Sequence, residues 1–254
     1  MLNAYPLQFF LNLGWILIAA FTFVLLLFVT APYGRHSREG WGPALQARWG
    51  WVLMEGASPL AFALFFLIGN RSLNPVTALF FILWILHYAN RSVLYPLRMK
   101  HGDRPMVLSV AVMGLFFNTV NAYLNGTYLN LFGERYPLGW MLDLRFVIGV
   151  LLFAGGMLLN LRADATLRRL RAQEDEGYRI PQGGFFELVS CANYLGEVIE
   201  WAGWAVMTWS LPGLTFALWT AANLVPRALA HHRWYRERFP DYPADRKAII
   251  PYLL

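Results

Sequence analysis

Charge is scarce in this chain. Asp, Glu, Lys and Arg make up only 14% of its 254 residues, against 57% hydrophobic, whereas a soluble domain carries about 25% charged residues. A deficit spread along the whole length means that most of the surface does not face water. Cysteine is nearly absent, with Cys191 alone, which excludes a disulfide framework. The five histidines do not gather with Cys or carboxylates at metal-ligand spacing, and His231 and His232 are adjacent, so they point to different helix faces. A protein-held metal is therefore not expected. There is no GxGxxG after a strand, so a nucleotide would not be held by a Rossmann unit. The formal charge of +6 is better explained by basic loops on one side of a membrane than by nucleic-acid binding. Leu7 to Thr30 is too long for the apolar core of a cleavable leader, about 7–15 residues, and reads as a first spanning helix.

What is abundant agrees with this. Aromatic residues reach 17%, with 11 Trp and 12 Tyr, as expected where amphipathic rings gather at two membrane interfaces. Runs of roughly 20 apolar residues, enough to span a bilayer, fall at 7–30, 49–69, 75–97, 105–126, 143–163, 187–209 and 212–235. The expected fold is an all-α polytopic membrane protein of seven transmembrane helices. Ala31-Pro32-Tyr33-Gly34, Gly69-Asn70 with Asn74-Pro75, and Ser210-Leu211-Pro212-Gly213 punctuate it. Basic residues collect in the first loop (Arg35, Arg38, Arg48), the third (Arg98, Lys100, Arg104), the fifth (Arg168, Arg169, Arg171, Arg179) and the tail. The opposite side has Arg71, Arg135 and Arg145. That bias puts the N-terminus outside and the C-terminus in the cytoplasm. No repeat or long linker divides the chain, which reads as one membrane domain.

Ionisable groups in spanning helices are costly, by roughly 2.5–3.5 kcal/mol each on insertion scales, and usually face a cavity. Here they fall at helical spacing: Asn160, Asp164 and Arg168, with Arg171 close to the same face; Asn193, Glu197 and Trp201; Arg227, His231 and Tyr235. All three stripes lie towards the predicted cytoplasmic half and outline a polar, partly basic cavity. Interhelical hydrogen bonding or snorkelling is the alternative reading, and it is the preferred one for Arg168, Arg233 and Arg236. A second set is Glu55, alone in the uncharged run from Gly50 to Ile68, with Tyr88, Arg91 and Tyr95 on one face of the third segment. Burial disfavours a charged carboxyl, and a protonated carboxyl and a phenol can both donate to a carbonyl oxygen. The bland alternative is a Glu55–Arg91 ion pair joining two helices.

Longer motifs then narrow the reading. Tyr178-Arg179-Ile180-Pro181-Gln182-Gly183-Gly184-Phe185, Ala192-Asn193-Tyr194-Leu195-Gly196-Glu197, Glu200-Trp201 and Thr208-Trp209-Ser210-Leu211-Pro212 are followed by Arg227-Ala228, His231-His232-Arg233-Trp234-Tyr235, Tyr242-Pro243, Arg246-Lys247-Ala248 and Ile250-Pro251. This pattern resembles the steroid 5-alpha-reductase family over nearly the whole chain. The resemblance implies a membrane reductase that passes hydride from NADPH to the carbon beta to a ketone, as in 3-oxo-4-ene steroids. It implies that Glu55 and Tyr88 bind the substrate carbonyl. It also implies that Asn160, Asp164, Arg171, Asn193, Glu197, His231 and Tyr235 surround the dinucleotide, with Tyr33, Arg91, Tyr95, Arg104, Tyr178, Arg179 and Trp201 near it. Residues 1–104 would then mainly shape the substrate pocket, and 105–254 most of the cofactor site.

The family pattern is weakest in the N-terminal half, at Ala89-Asn90, at Arg98 to Asp103 and at Gly56-Ala57-Ser58, where the substrate pocket would be formed. Two rival classes fit less well. The isoprenylcysteine methyltransferases, which use S-adenosylmethionine, share the His and basic-tail pattern but lack the Gln-Gly-Gly and Asn-x-x-x-Glu run. A retinal pigment needs a mid-membrane lysine, and Lys100 and Lys247 are both in polar segments. A reductase of another lipid enone, such as a sterol, polyprenal or enoyl thioester, remains open. The expected partners are an oily enone and membrane lipid, with the chain acting as a monomer in the bacterial inner membrane or the endoplasmic reticulum.

Overall fold

The long apolar runs form helices because a backbone in an apolar setting must satisfy its own N–H and C=O groups. The structure is a computed structural model, which describes residues 4–36, 38, 40–69, 73–133, 135–172 and 178–254; Asn70 and Arg71 lie outside them. Seven long helices follow in order among the described residues. They are α1 Ala4–Phe28, α2 Ala47–Leu67, α3 Pro75–Ala89, α4 Leu108–Thr127, α5 Leu144–Ala172, α6 Ala192–Thr208 and α7 Leu211–Arg238. α3 runs on through a π turn, Asn90–Leu94, to Leu97, and α4 through another, Tyr128–Phe132. Asn74 caps α3, its side chain accepting from Thr77 N, and Pro75 occupies the first turn. Ser210 does the same for α7, followed by Pro212.

Four helices are long and apolar enough to cross a membrane: Pro6–Phe28, Ala47–Leu67, Pro75–Leu97 and Leu144–Ala172. The other three are shorter or more polar because they put their polar groups inwards. α4 carries Asn118, Asn121 and Asn125, all buried. Asn121 accepts from Trp15 Nε1 of α1, and Asn125 accepts from Trp204 Nε1 of α6. α6 and α7 bury Glu200, Arg227 and His231.

α5 and α6 touch backbone to backbone along a glycine seam. Gly149 and Gly156 on α5 meet Gly196 and Gly203 on α6, seven residues apart in each helix, and a Cβ at any of the four would strike backbone atoms of the other helix. Small residues permit this approach, and it carries Asn160 and Asp164 against Asn193. An aromatic core fills the bundle between α2, α3, α5, α6 and α7, built on Phe62, Phe80, Trp84, Phe153, Trp201, Trp204 and Phe216.

Two short strands that the apolar runs do not disclose, β1 Ala44–Gln46 and β2 Pro105–Val107, pair antiparallel. They close the loops preceding α2 and α4 onto one end of the bundle. α5 also continues past the predicted end at 163, so Asp164, Arg168 and Arg171 are helical, and the fourth segment opens with β2 before its helix begins.

Candidate active site and cofactor cavity

Three helices carry a proline or a π turn within four residues of a charged side chain. In α2, Pro59 has no N–H for the carbonyl of Glu55, four residues earlier. In α3 the π turn begins at Asn90, next to Arg91, and such turns recur at functional sites. In α7, Pro226 precedes Arg227.

Arg91 is the hub. Its guanidinium lies 3.8 Å from Glu55 Oε1, 3.7 Å from Asp164 Oδ2 and 3.8 Å from Glu197 Oε2, joining α2, α5 and α6. Trp51 and Tyr95 flank it, with ring centroids 5.0 and 5.1 Å from Cζ. Asn193 Nδ2 donates to Asp164 Oδ1 at 3.2 Å, and Asn160 Nδ2 donates to the Asn193 carbonyl at 2.9 Å. The Glu55–Arg91 contact weighed above therefore exists, but as one edge of a cluster of one guanidinium and three carboxyl groups. Tyr88 is buried beside it, its hydroxyl donating to Asn118 Oδ1 at 3.1 Å.

Trp51 and Tyr95 also line a cavity of about 370 Å³. Its wall carries Arg35, Arg98, Lys100, Arg104, Arg168, Arg171 and Arg227, and no carboxylate among the described residues. Tyr33, His101, Tyr178, Tyr194 and His231 add to the polar lining. The loop after α1 is fastened over it. Arg227 stacks 3.4 Å over the Tyr33 ring and donates to the Tyr33 carbonyl at 3.0 Å. Arg35 donates to the Tyr235 hydroxyl at 3.2 Å and packs on Tyr178 and Trp234. His36 Nε2 and His231 Nδ1 share a hydrogen bond of 2.9 Å, and His231 Nε2 meets the Tyr194 hydroxyl at 3.2 Å. Burial, and then the cations Arg227, Arg35 and Arg38, push the His36 imidazole down from 6.5 to about 4.

Set against the sequence expectations, Tyr33, Tyr95, Arg104, Arg171, Tyr178 and His231 line the cavity, and Tyr235 supports it through Arg35. Glu55, Arg91, Asp164, Asn193 and Glu197 gather at the hub, with Asn160 orienting Asn193. Two residues stand apart. Arg179 is exposed. Trp201 is 1% exposed inside the aromatic core, although it shares a helical face with Asn193 and Glu197, because one turn deeper that face meets Trp84 and Phe216 rather than the cavity. Arg168, read above as a snorkelling residue, lines the cavity. Both halves of the chain supply its wall.

The sequence reading passed over His87. Its Nδ1 lies 2.7 Å from Glu200 Oε1, both buried, between α3 and α6. A histidine and a glutamate inside apolar runs were the available signal, but nothing in the spacing says that they meet.

Comparison with known proteins adds an independent line. A family model described as 3-oxo-5-alpha-steroid 4-dehydrogenase matches residues 104–254. The chain is 47% identical to the steroid 5-alpha-reductase DET2 of Gossypium hirsutum over 243 residues, 93% of each chain. The chain belongs to the steroid 5-alpha-reductase family. Animal members of the 5-alpha-reductase family match almost as well. The 3-oxo-5-alpha-steroid 4-dehydrogenase 1 of Bos taurus is 41% identical over 91% of each chain, and that of Homo sapiens 40% identical over 87% of this chain and 85% of its own. The protein is thus an oxidoreductase acting on CH–CH groups. Membership in the 5-alpha-reductase family also agrees with a multi-pass membrane chain.

Proposed function

We propose that this chain reduces the 4,5 double bond of 3-oxo-4-ene steroids with NADPH, spanning the membrane seven times as a monomer with its C-terminus cytoplasmic. The observation that carries the reading is a juxtaposition: a cavity whose wall holds seven cations among the described residues shares Trp51 and Tyr95 with a guanidinium ringed by three carboxyl groups, with Tyr88 alongside.

The residues fit a phosphorylated dinucleotide. A wall of cations suits phosphates, and the enclosed Arg35 Nη1, Arg91 Nε and Asp164 Oδ2 have no hydrogen-bond partner among the described residues, an expensive condition unless a polar ligand meets them. Arg35, Arg104, Arg171, Tyr178 and His231 would hold the phosphate end. Asn193, Glu197 and Asp164 would orient the nicotinamide amide, with Arg91 fixing both carboxylates. When bound, NADPH supplies hydride for the carbon beta to the ketone. Glu55 and Tyr88 donate to the ketone oxygen, where negative charge grows as the double bond is reduced, so their hydrogen bonds are stronger in the transition state than in the ground state.

The test is turnover of testosterone and progesterone by membranes supplied with NADPH, with products identified by mass. Tyr88→Phe removes a donor outright, and a loss of about 2.7–4 kcal/mol, or roughly 10²–10³ in rate, is expected. Glu55→Gln retains a weaker amide donor and should lose less. Wild-type turnover in both variants would end the carbonyl-donor assignment. A panel of sterols, polyprenals and enoyl thioesters in the same assay decides the substrate class.

A further inference from the structure

Asn118 sits where the two helices bearing the ketone-binding pair meet α4. Its Oδ1 accepts from the Tyr88 hydroxyl at 3.1 Å, and its Nδ2 donates to the Met54 carbonyl at 2.8 Å. Both attachments fall where a helix is weak. Met54 directly precedes Glu55, whose carbonyl gets no donor from Pro59, and Tyr88 stands two residues before the π turn. A carboxamide offers an acceptor and a donor from one planar group, so a single buried side chain sets the spacing of α2 and α3 at their reactive residues. The neighbouring Asn121 and Asn125 do a different job, accepting from tryptophans of α1 and α6.

We propose that Asn118 is a positioning residue: it aims Tyr88 and Glu55 at one ketone oxygen and holds the Tyr88 proton until that oxygen takes over the hydrogen bond. The inference rests on the carbonyl-donor reading above. An amide oxygen is a strong acceptor, so a neutral ketone gains little by displacing it. An oxygen acquiring enolate charge gains much more, because hydrogen bonds to ionised acceptors are about twice as strong as neutral ones. Asn118 thereby defers the Tyr88 interaction to the transition state, where it accelerates the reaction instead of merely tightening substrate binding. No covalent change is asked of Asn118 itself.

The experiment is a double-mutant cycle measured as kcat and KM for one enone steroid at saturating NADPH. Asn118→Leu is expected to lower kcat by roughly tenfold to a hundredfold, the scale of a misplaced reacting group. KM should stay steady or fall, and NADPH affinity should stay within about twofold. In a Tyr88→Phe background the same substitution should cost several-fold less, because an absent phenol cannot be misaimed and only the share carried through Met54 to Glu55 is left. Asn118→Ser repeats the comparison with a smaller side chain should the Leu variant fold poorly, and Asn121→Leu reports what loss of a purely interhelical amide does to thermal stability. Equal falls in both backgrounds, or a rise in KM with kcat unchanged, would overturn the inference while leaving the ketone donors standing. Unchanged turnover in Tyr88→Phe alone would instead remove the Tyr88 half of the carbonyl-donor reading beneath it.

Discussion

Replacing Gly156 by Ala tests whether the glycine seam sets the geometry of Asn160, Asp164 and Asn193. A Cβ at Gly156 would lie 2.6 Å from the Gly196 carbonyl oxygen and also strike the Glu200 backbone nitrogen. Ordinary contact begins near 3.4 Å, so α5 and α6 must part by at least about 0.8 Å, and the obstructing atoms are backbone that cannot rotate away. Overpacking of this kind costs typically 1–3 kcal/mol. The functional effect should be larger than the stability effect, because Asn160 lies one turn beyond Gly156 and carries the Asn193 contact that in turn holds Asp164. A displacement near 1 Å at a positioning residue can lower the rate about a hundredfold. Gly155, its neighbour, supplies the control, since a Cβ there meets nothing within 4 Å. Thermal unfolding in detergent, NADPH affinity and steroid turnover should all change in Gly156→Ala and stay near wild type in Gly155→Ala. If Gly156→Ala binds NADPH and turns over normally, the seam does not position the site and the reasoning fails.

Other consequences can be measured separately. Glu200→Leu leaves His87 buried without its partner and should cost about 3–5 kcal/mol in thermal stability, most of which a second change, His87→Phe, should restore; a cost that persists in the double variant would refute the pairing argument. Arg171→Ala should weaken NADPH binding and flatten its salt dependence while leaving kcat at saturation nearly unchanged, as expected for a contact equally strong in ground and transition states; a fall in kcat alone would place it elsewhere. For His36, a native value of about 4 against 6.5 unfolded means that the unfolded state binds the extra proton. Its contribution is thus complete above pH 6.5 and disappears as pH falls towards 4, amounting to about 1 kcal/mol after screening of a half-exposed group. The melting temperature of His36→Gln relative to wild type should therefore rise across that interval, and a constant difference would contradict it.

Much of the helix order could be read from apolar length, since four of the seven predicted segments coincide with helices apolar enough to cross a membrane. The polar stripes on α5, α6 and α7 were legible for a related reason: spacing of four places residues on one face. Spacing does not say what the face meets. That is why Trp201, in register with Glu197, faces the aromatic core, and why the His87–Glu200 contact escaped notice. Arg91 was visible as a residue on a face, but its bonds to three carboxyl groups on three helices arise only from tertiary packing. The β1–β2 pair was hidden because three-residue strands leave no periodicity to detect. Family motifs, by contrast, pointed to the cavity residues that hydropathy cannot rank.

The proline at position 59 has a consequence for how this protein should be probed. Because it withholds an amide hydrogen from the peptide oxygen of Glu55, the main chain itself would contribute a partial negative charge beside the proposed ketone site. Side-chain scanning is blind to such a contribution. Exchanging single peptide linkages for esters along this stretch of α2 would expose it, and would distinguish polarity supplied by the fold from polarity supplied by the residues hung upon it.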